Sequence, residues 1–358
     1  MKRPLFEATS GELAAWMGER GYPAYRAKQV DAWAYRRRAE QFGAMTDLPG
    51  GLREAIDAEW SVFTTEVVER RVAPDGTDKY LLSCGDGRRI ECVLMADEDR
   101  RTACISTQVG CGMGCVFCAS GLKGVERNLS QGEIVEQVVR LNNAAMGEGG
   151  RLTNVVVMGM GESLANFDNL VGALDRICSP EGLGLGQRRV TISTVGLPEK
   201  IRKLADLDRQ YHLAVSLHAP TEALRNELVP VNAKIGLGAV IEAADEYFRK
   251  SGRRVTFEYV LLSGINDRAE DATALGSLLE GRKAHVNLIP YNPVPGLPYG
   301  RPSPSAIREF AEIVGSWRVN VTVRKTRGRE IDAACGQLRR RSESKPAATD
   351  PVAVPTAG

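Results

Sequence analysis

The sequence predicts an α/β fold built around an open, partial (β/α) barrel, and three observations carry that expectation. After residue 103, apolar strand candidates at 103–108, 153–158, 189–194, 212–217, 254–262, 285–289 and 319–324 alternate with amphipathic helix candidates. Those helices fall at 131–145, 168–178, 221–228, 237–250, 269–280 and 304–316. Repeated strand–helix units imply parallel strands joined by right-handed crossovers. Six or seven strands are too few for a closed eight-stranded barrel, and in such folds the chemistry sits at the C-terminal strand ends. The first 60 residues are helical, and the stretch between the two regions alternates in the manner of strands.

In the helical stretch, Leu13, Trp16 and Met17, then Val30, Trp33 and Ala34, then Leu52 and Ile56 recur at three- and four-residue spacings, the period of one helix face. Gly21-Tyr22-Pro23 and Leu48-Pro49-Gly50-Gly51 punctuate them. This reads as a small unit at 1–60, separate from the rest of the chain. Residues 61–103 form a β-rich extension, with strands at Thr77–Ser83 and Arg89–Met95 joined near Gly85-Asp86-Gly87. The barrel takes 104–338. A basic, Pro- and Ala-rich tail at 339–358 reads as disordered.

Composition narrows the class. The 358 residues are 43 % apolar and 26 % charged, enough to bury a full core and unlike a disordered or fibrous chain. No window approaches the roughly 18 apolar residues of a membrane span. Met1 to Glu7 carry no apolar run of the export type, so the cytoplasm is the expected location. Forty-seven Lys and Arg against 45 Asp and Glu leave a net charge of +2, so only local clustering could mark a nucleic-acid surface. Such clusters occur at Arg36-Arg37-Arg38, Arg70-Arg71, Arg188-Arg189, residues 324–329 and Arg339-Arg340-Arg341.

Of eight cysteines, Cys111, Cys115 and Cys118 share one eight-residue stretch directly after the first barrel strand. Three thiolates on one loop can hold three corners of a [4Fe–4S] cube. Gly110, Gly112 and Gly114 let the backbone wrap a bulky core. Cys104, seven residues upstream, leaves a tetrahedral zinc site open on counting alone, and with it a zinc-bound, non-catalytic RNA-binding protein.

A three-cysteine loop in this position resembles the radical S-adenosylmethionine (SAM) enzymes. Met158-Gly159-Met160-Gly161-Glu162-Ser163, Ser216-Leu217-His218, residues 287–293, Arg324-Lys325-Thr326-Arg327-Gly328 and residues 331–338 resemble, within that superfamily, the RNA adenine methyltransferases. The resemblance spans about residues 20 to 340. It implies a six-stranded radical SAM partial barrel, a [4Fe–4S] cluster and SAM. It also implies methylation of adenine carbon-2 in 23S rRNA and in some tRNAs, with carbon-8 of the same rRNA base as the alternative. The 324–328 segment resembles the carbon-2 enzymes more closely, whereas Ser163 stands where those enzymes more often carry Pro.

The resemblance also implies roles. Cys111, Cys115 and Cys118 ligate the cluster. Gly161, Glu162, Ser193, Ser216, Leu217, His218 and Asn292 bind SAM, with Glu162 on its amino group. Cys335 is methylated by one SAM and carries the carbon to RNA, because an aromatic C–H carbon does not attack a sulfonium methyl and a thiolate relay divides the task. Glu91 removes the ring proton, and Cys104 releases the product as a disulfide with Cys335. Tyr22 to Gln29 look like the family's RNA-contacting segment, and the basic clusters become phosphate contacts. Cys84, Cys92 and Cys178 match no motif and read as packing residues. An external electron donor and a disulfide reductant are implied partners, with no membrane and a monomeric enzyme expected.

Overall fold

The structure is a computed structural model that describes residues 2–338. The expected tail and the Arg339-Arg340-Arg341 cluster lie outside the described residues. Ten strands form one sheet, in the order Asn320–Val323, Ala284–Pro290, Val255–Leu261, His212–Ser216, Val190–Thr194, Asn154–Val157, Arg100–Cys104, Arg89–Asp97, Asp78–Ser83, Glu66–Val72. The first seven of these run parallel and the last three are antiparallel. The parallel run is thus one strand longer than the six expected of the barrel, and its last member is a largely exposed edge strand.

The strands of the 61–103 extension continue the barrel sheet, with Val93 paired to Cys104. The helical unit packs onto the barrel. Helices Ser10–Gly18, Arg26–Arg36 and Gly50–Glu59 bury Leu13, Trp16, Val30, Leu52 and Ile56 in the same core cluster as barrel residues Ile134, Val155 and Leu170. Glu7 accepts the Gly132 N–H at 2.8 Å. The buried Glu136 carboxylate accepts the backbone N–H and hydroxyl of Thr64 and of Thr65, at 2.7–2.8 Å.

The first strand is also shorter than expected, ending at Cys104 rather than near 108. There the chain leaves the sheet because Gln137 clamps it, accepting the Ser106 N–H at 2.8 Å and donating to its carbonyl at 3.0 Å. Helix Gln131–Gly147, which carries Gln137, starts in a reciprocal capping box between Ser130 and Glu133. Gln108–Gly110 then pairs with Val125–Asn128, framing the cysteine loop. Gly110 is required here: at φ 78° a Cβ would stand 2.1 Å from the Gly124 carbonyl oxygen.

Helix Pro198–Ala205 was not expected. Pro198 stands at its first turn, where a missing N–H costs nothing.

Among the described residues no strand closes the open barrel. The chain after the edge strand does so instead. Arg327 donates to the Ala96 carbonyl at 2.6 Å, Gly328 N–H to Asp75 at 2.8 Å, and Ala119 N–H to the Gly336 carbonyl at 2.9 Å. Residues 324–338 therefore cross from the last parallel strand to the antiparallel hairpins. Among the described residues no helix is long and apolar enough to cross a membrane.

Candidate active site

Strand alternation builds the lumen. Cross-strand partners share a face, so Lys79, Val93 and Cys104 face the same way, as do Leu81 with Glu91 and Met95 with Thr102. Further round, Ser216, Glu258, Asn287 and Thr322 stand in one row across four strands. Asn287 donates to Glu258 at 2.8 Å and accepts from Thr322 at 3.2 Å. The lumen is polar although the opposite faces of the same strands build the core.

A cavity of about 640 Å³ runs through this lumen, lined by Met95, Thr102, Cys104, His212, Asn287 and Cys335 among others. A second cavity, about 150 Å³, opens at the C-terminal strand ends and is lined by Cys111, Cys115, Cys118, Gly161, Glu162, Ser193, Ser216, His218 and Asn292. The two share Met158, Glu258, Ile289, Asn292, Arg324 and Cys335. Twelve predicted site residues are thereby placed around two adjoining spaces, or on the lumen face beside them in the case of Glu91. A larger cavity, about 1050 Å³, lies near the helical unit and contains none of them.

Leu217 is the exception. It is fully buried, its N–H donates to the Glu258 carbonyl at 3.0 Å, and its carbonyl accepts from Arg225 at 3.1 Å. It braces the strand end and does not line either cavity.

Each polar residue at the smaller cavity is fixed by its neighbours. Glu162 is buried and accepts the backbone N–H of Val195 at 2.8 Å and of Leu164 at 3.0 Å, while burial raises its carboxyl above the ordinary value. Gly161, at φ 104°, lies so close to Gln108 that a Cβ would stand 2.7 Å from that side chain. His218 accepts the Val260 N–H on Nδ1 at 3.1 Å, which leaves the ring hydrogen of the neutral form on Nε2. Burial, with the Arg225 charge beside it, pushes the imidazole down to about 3, so it is neutral at physiological pH. The Ser193 and Ser216 hydroxyls are 3.4 Å apart, and Asn292 donates to the Cys335 carbonyl at 3.3 Å.

The cysteine loop suits a charged inorganic group. Burial pushes the Cys111 thiol up to about 12 and raises those of Cys115 and Cys118. Thiols crowded where thiolates are disfavoured form a donor set that only a cationic centre would ionise. Among the described residues no three His, Cys, Asp or Glu side chains gather round a single ion-sized centre; these three rim a cavity instead. They would hold a cluster.

Glu91 is 1 % exposed. It sits two residues from Val93, the cross-strand partner of Cys104. Cys104 is buried, and burial first and the Cys335 sulfur next push its thiol up to about 12. Cys84 and Cys92 are buried and Cys178 partly so, away from both cavities.

Several supporting residues escaped the sequence reading. Ser106 donates to the Glu91 carbonyl at 2.6 Å and accepts the Met160 N–H at 2.8 Å, tying the Glu91 strand to the Gly159–Glu162 turn. Arg225 is fully buried and donates to the carbonyls of Val195, Ser216 and Leu217, the last two at 3.3 and 3.1 Å. Its sequence context, Leu224-Arg225-Asn226, reads as a solvated helix face. Lys79 left a faint signal: a charge on the inward face of an alternating strand.

Residues 4–62 match the family described as the ribosomal RNA large subunit methyltransferase N-terminal domain, and residues 105–275 match the radical SAM superfamily. The chain is similar to the probable dual-specificity RNA methyltransferase RlmN of Rhodopirellula baltica, 53 % identical over 340 residues that cover 95 % of this chain and 91 % of the relative. The like-named protein of Symbiobacterium thermophilum is 45 % identical, over 96 % of this chain and 93 % of its own. A radical SAM methyltransferase from Sphaerobacter thermophilus, solved by crystallography, superposes with a TM-score of 0.92 at 45 % identity, covering 94 % of this chain and 99 % of that one. Likeness of that degree across nearly all of each chain displaces the zinc alternative and makes this chain a member of the radical SAM RNA methyltransferases, whose cofactors are a [4Fe–4S] cluster and SAM.

Proposed function

We propose that this chain methylates adenine carbon-2 in 23S rRNA, and in tRNA, through a methyl relay on Cys335. The observation that carries the proposal is the position of Cys335, which lines both the cavity at the cysteine loop and the lumen that holds Cys104. A thiol there can receive carbon on one side and deliver it on the other.

Cys111, Cys115 and Cys118 would hold the cluster, which with SAM supplies the methyl group and the radical chemistry. Glu162 suits the cationic amine of SAM, His218 offers an Nε2 hydrogen, and Ser193, Ser216 and Asn292 offer hydroxyl and amide groups. Gly161 keeps that wall close, and Leu217 holds Ser216 and His218 in place. The carbon held on the Cys335 sulfur bonds to the ring and so tethers the base, and Glu91 takes the ring proton. The Cys104 thiolate then attacks the Cys335 sulfur: a disulfide forms, the sulfur–carbon bond breaks with its electron pair left on the carbon, and that carbon takes a proton to become the methyl group. An external reductant restores both thiols.

A base undergoing this chemistry must leave its stack, and Arg188, Arg189, Lys325 and Arg327 around the lumen supply charge for the flanking phosphates. Such a substrate supports a cytoplasmic location. Mass spectrometry of nucleosides from RNA treated with the cluster-loaded enzyme tests the proposal. 2-Methyladenosine is the expected product, and 8-methyladenosine would transfer the chain to the carbon-8 reaction.

A further inference from the structure

We infer that Lys79 is a positioning residue for proton removal, holding the Glu91 carboxylate and the loop that carries Cys335 in one arrangement. The inference rests on the reading of Glu91 as the base.

Lys79 and Glu91 are 4 % and 1 % exposed, and Nζ lies 3.1 Å from Oε1. They occupy adjacent antiparallel strands, where Lys79 pairs with Val93 and Leu81 with Glu91. That makes them diagonal neighbours on one face, a separation that a lysine spans. The same Nζ donates to the Asp332 carbonyl at 3.1 Å, across 253 positions of sequence. Asp332 stands three residues before Cys335, in left-handed backbone at φ 54°. One ammonium group therefore touches the base and the strap of the methyl carrier.

A buried ion pair is a poor device for stability, since apolar residues of the same size often do as well. This pair lies on the lumen face beside the partner of Cys104, and its cation reaches a third group belonging to the Cys335 loop. Those facts fit positioning better than scaffolding. In the step concerned, the C–H bond at the attacked ring carbon breaks, its proton passes to a Glu91 oxygen, and the bonding pair stays with the adenine ring. No oxidant or reductant enters. Lys79 contributes an oriented carboxylate and a fixed distance between that carboxylate and the carbon delivered by Cys335.

The test uses cluster-loaded enzyme, SAM, reductant and end-labelled RNA, read on denaturing gels, with iron content and Cys335 methylation measured on the same samples. Lys79→Gln keeps a donor for Asp332 but loses the charge. It should retain iron and methylated Cys335 while an RNA-linked protein band accumulates at least tenfold over wild type. Lys79→Arg, which keeps the charge, should restore turnover and clear the band. Lys79→Gln that turns over like wild type, or that loses iron and Cys335 methylation together, would overturn the inference. Glu91→Gln separates the two readings. If it accumulates no band, Glu91 is not the base; if it does and Lys79→Gln does not, only the role of Lys79 falls.

Discussion

The cysteine loop and the lumen wall that faces it are assembled in opposite ways. Cys111, Cys115 and Cys118 come from one turn of chain between two short strands, so every proposed cluster ligand is local. The relay wall has no local unit. Glu91 and Cys104 arrive on antiparallel and parallel strands of the barrel sheet, Cys335 on the closing segment, and a single lysine bridges 253 positions between them. The three thiols of the loop are contiguous in sequence, so no distant strand is needed to bring them together. The proposed relay needs residues 324–338 bonded across to the hairpins. Damage to the first should abolish everything at once, whereas damage to the second should stop the reaction at distinct stages.

The largest effect belongs to the loop. Replacing any one of Cys111, Cys115 or Cys118 by Ala should remove iron and activity together, because it leaves the loop two of the three thiolates that the cube requires. Iron and sulfide analysis with the absorbance near 400 nm checks this. Full iron retention in all three variants would break the contrast between the two regions.

Next comes the SAM wall. Glu162→Gln preserves size and one acceptor for the Val195 and Leu164 N–H groups but loses the charge. A hydrogen bond to a charged group is worth about 1.5–3 kcal/mol, so SAM should bind roughly 10- to 100-fold more weakly to the cluster-loaded protein by calorimetry. Iron content should not change.

A smaller, graded effect concerns pH. With its thiol pushed up to about 12, Cys104 is protonated near neutrality. Below that value the thiolate fraction rises roughly tenfold per pH unit, so decay of the RNA–protein adduct should quicken by about that factor from pH 7 to 8. Single-turnover decay of pre-formed adduct measures it. A flat profile would mean that the proton leaves Cys104 within the site and that this wall is more tightly coupled than its burial implies.

The same contrast explains what the sequence made legible. Helix and strand positions fell within a few residues because period and alternation are local signals, and the triplet stood out because its ligands are contiguous. Helix Pro198–Ala205, eight residues long, gave too short a periodic run to stand out. The end of the first strand at Cys104 depends on Gln137, a helix away in sequence, and the shared core of the helical unit depends on contacts of Glu7 and Glu136 that no periodicity encodes. At the site, Ser193, Ser216, His218 and Asn292 came from the family resemblance, and the fold sets them together around the smaller cavity. Arg225 and Ser106 were not, and the inward charge of Lys79 said nothing of its partners, since all three act through groups that only the closed fold brings near.

If Cys335 carries the base covalently and Cys104 frees it, the intermediate between those two events is a protein–RNA adduct. The most direct measurement is a denaturing gel of labelled RNA after incubation with Cys104→Ala holoenzyme. An RNA-linked protein band should appear, resist denaturation and be absent when Cys335 is also replaced by Ala. A Cys104→Ala enzyme with intact cluster and methylated Cys335, yet no such band, would contradict it.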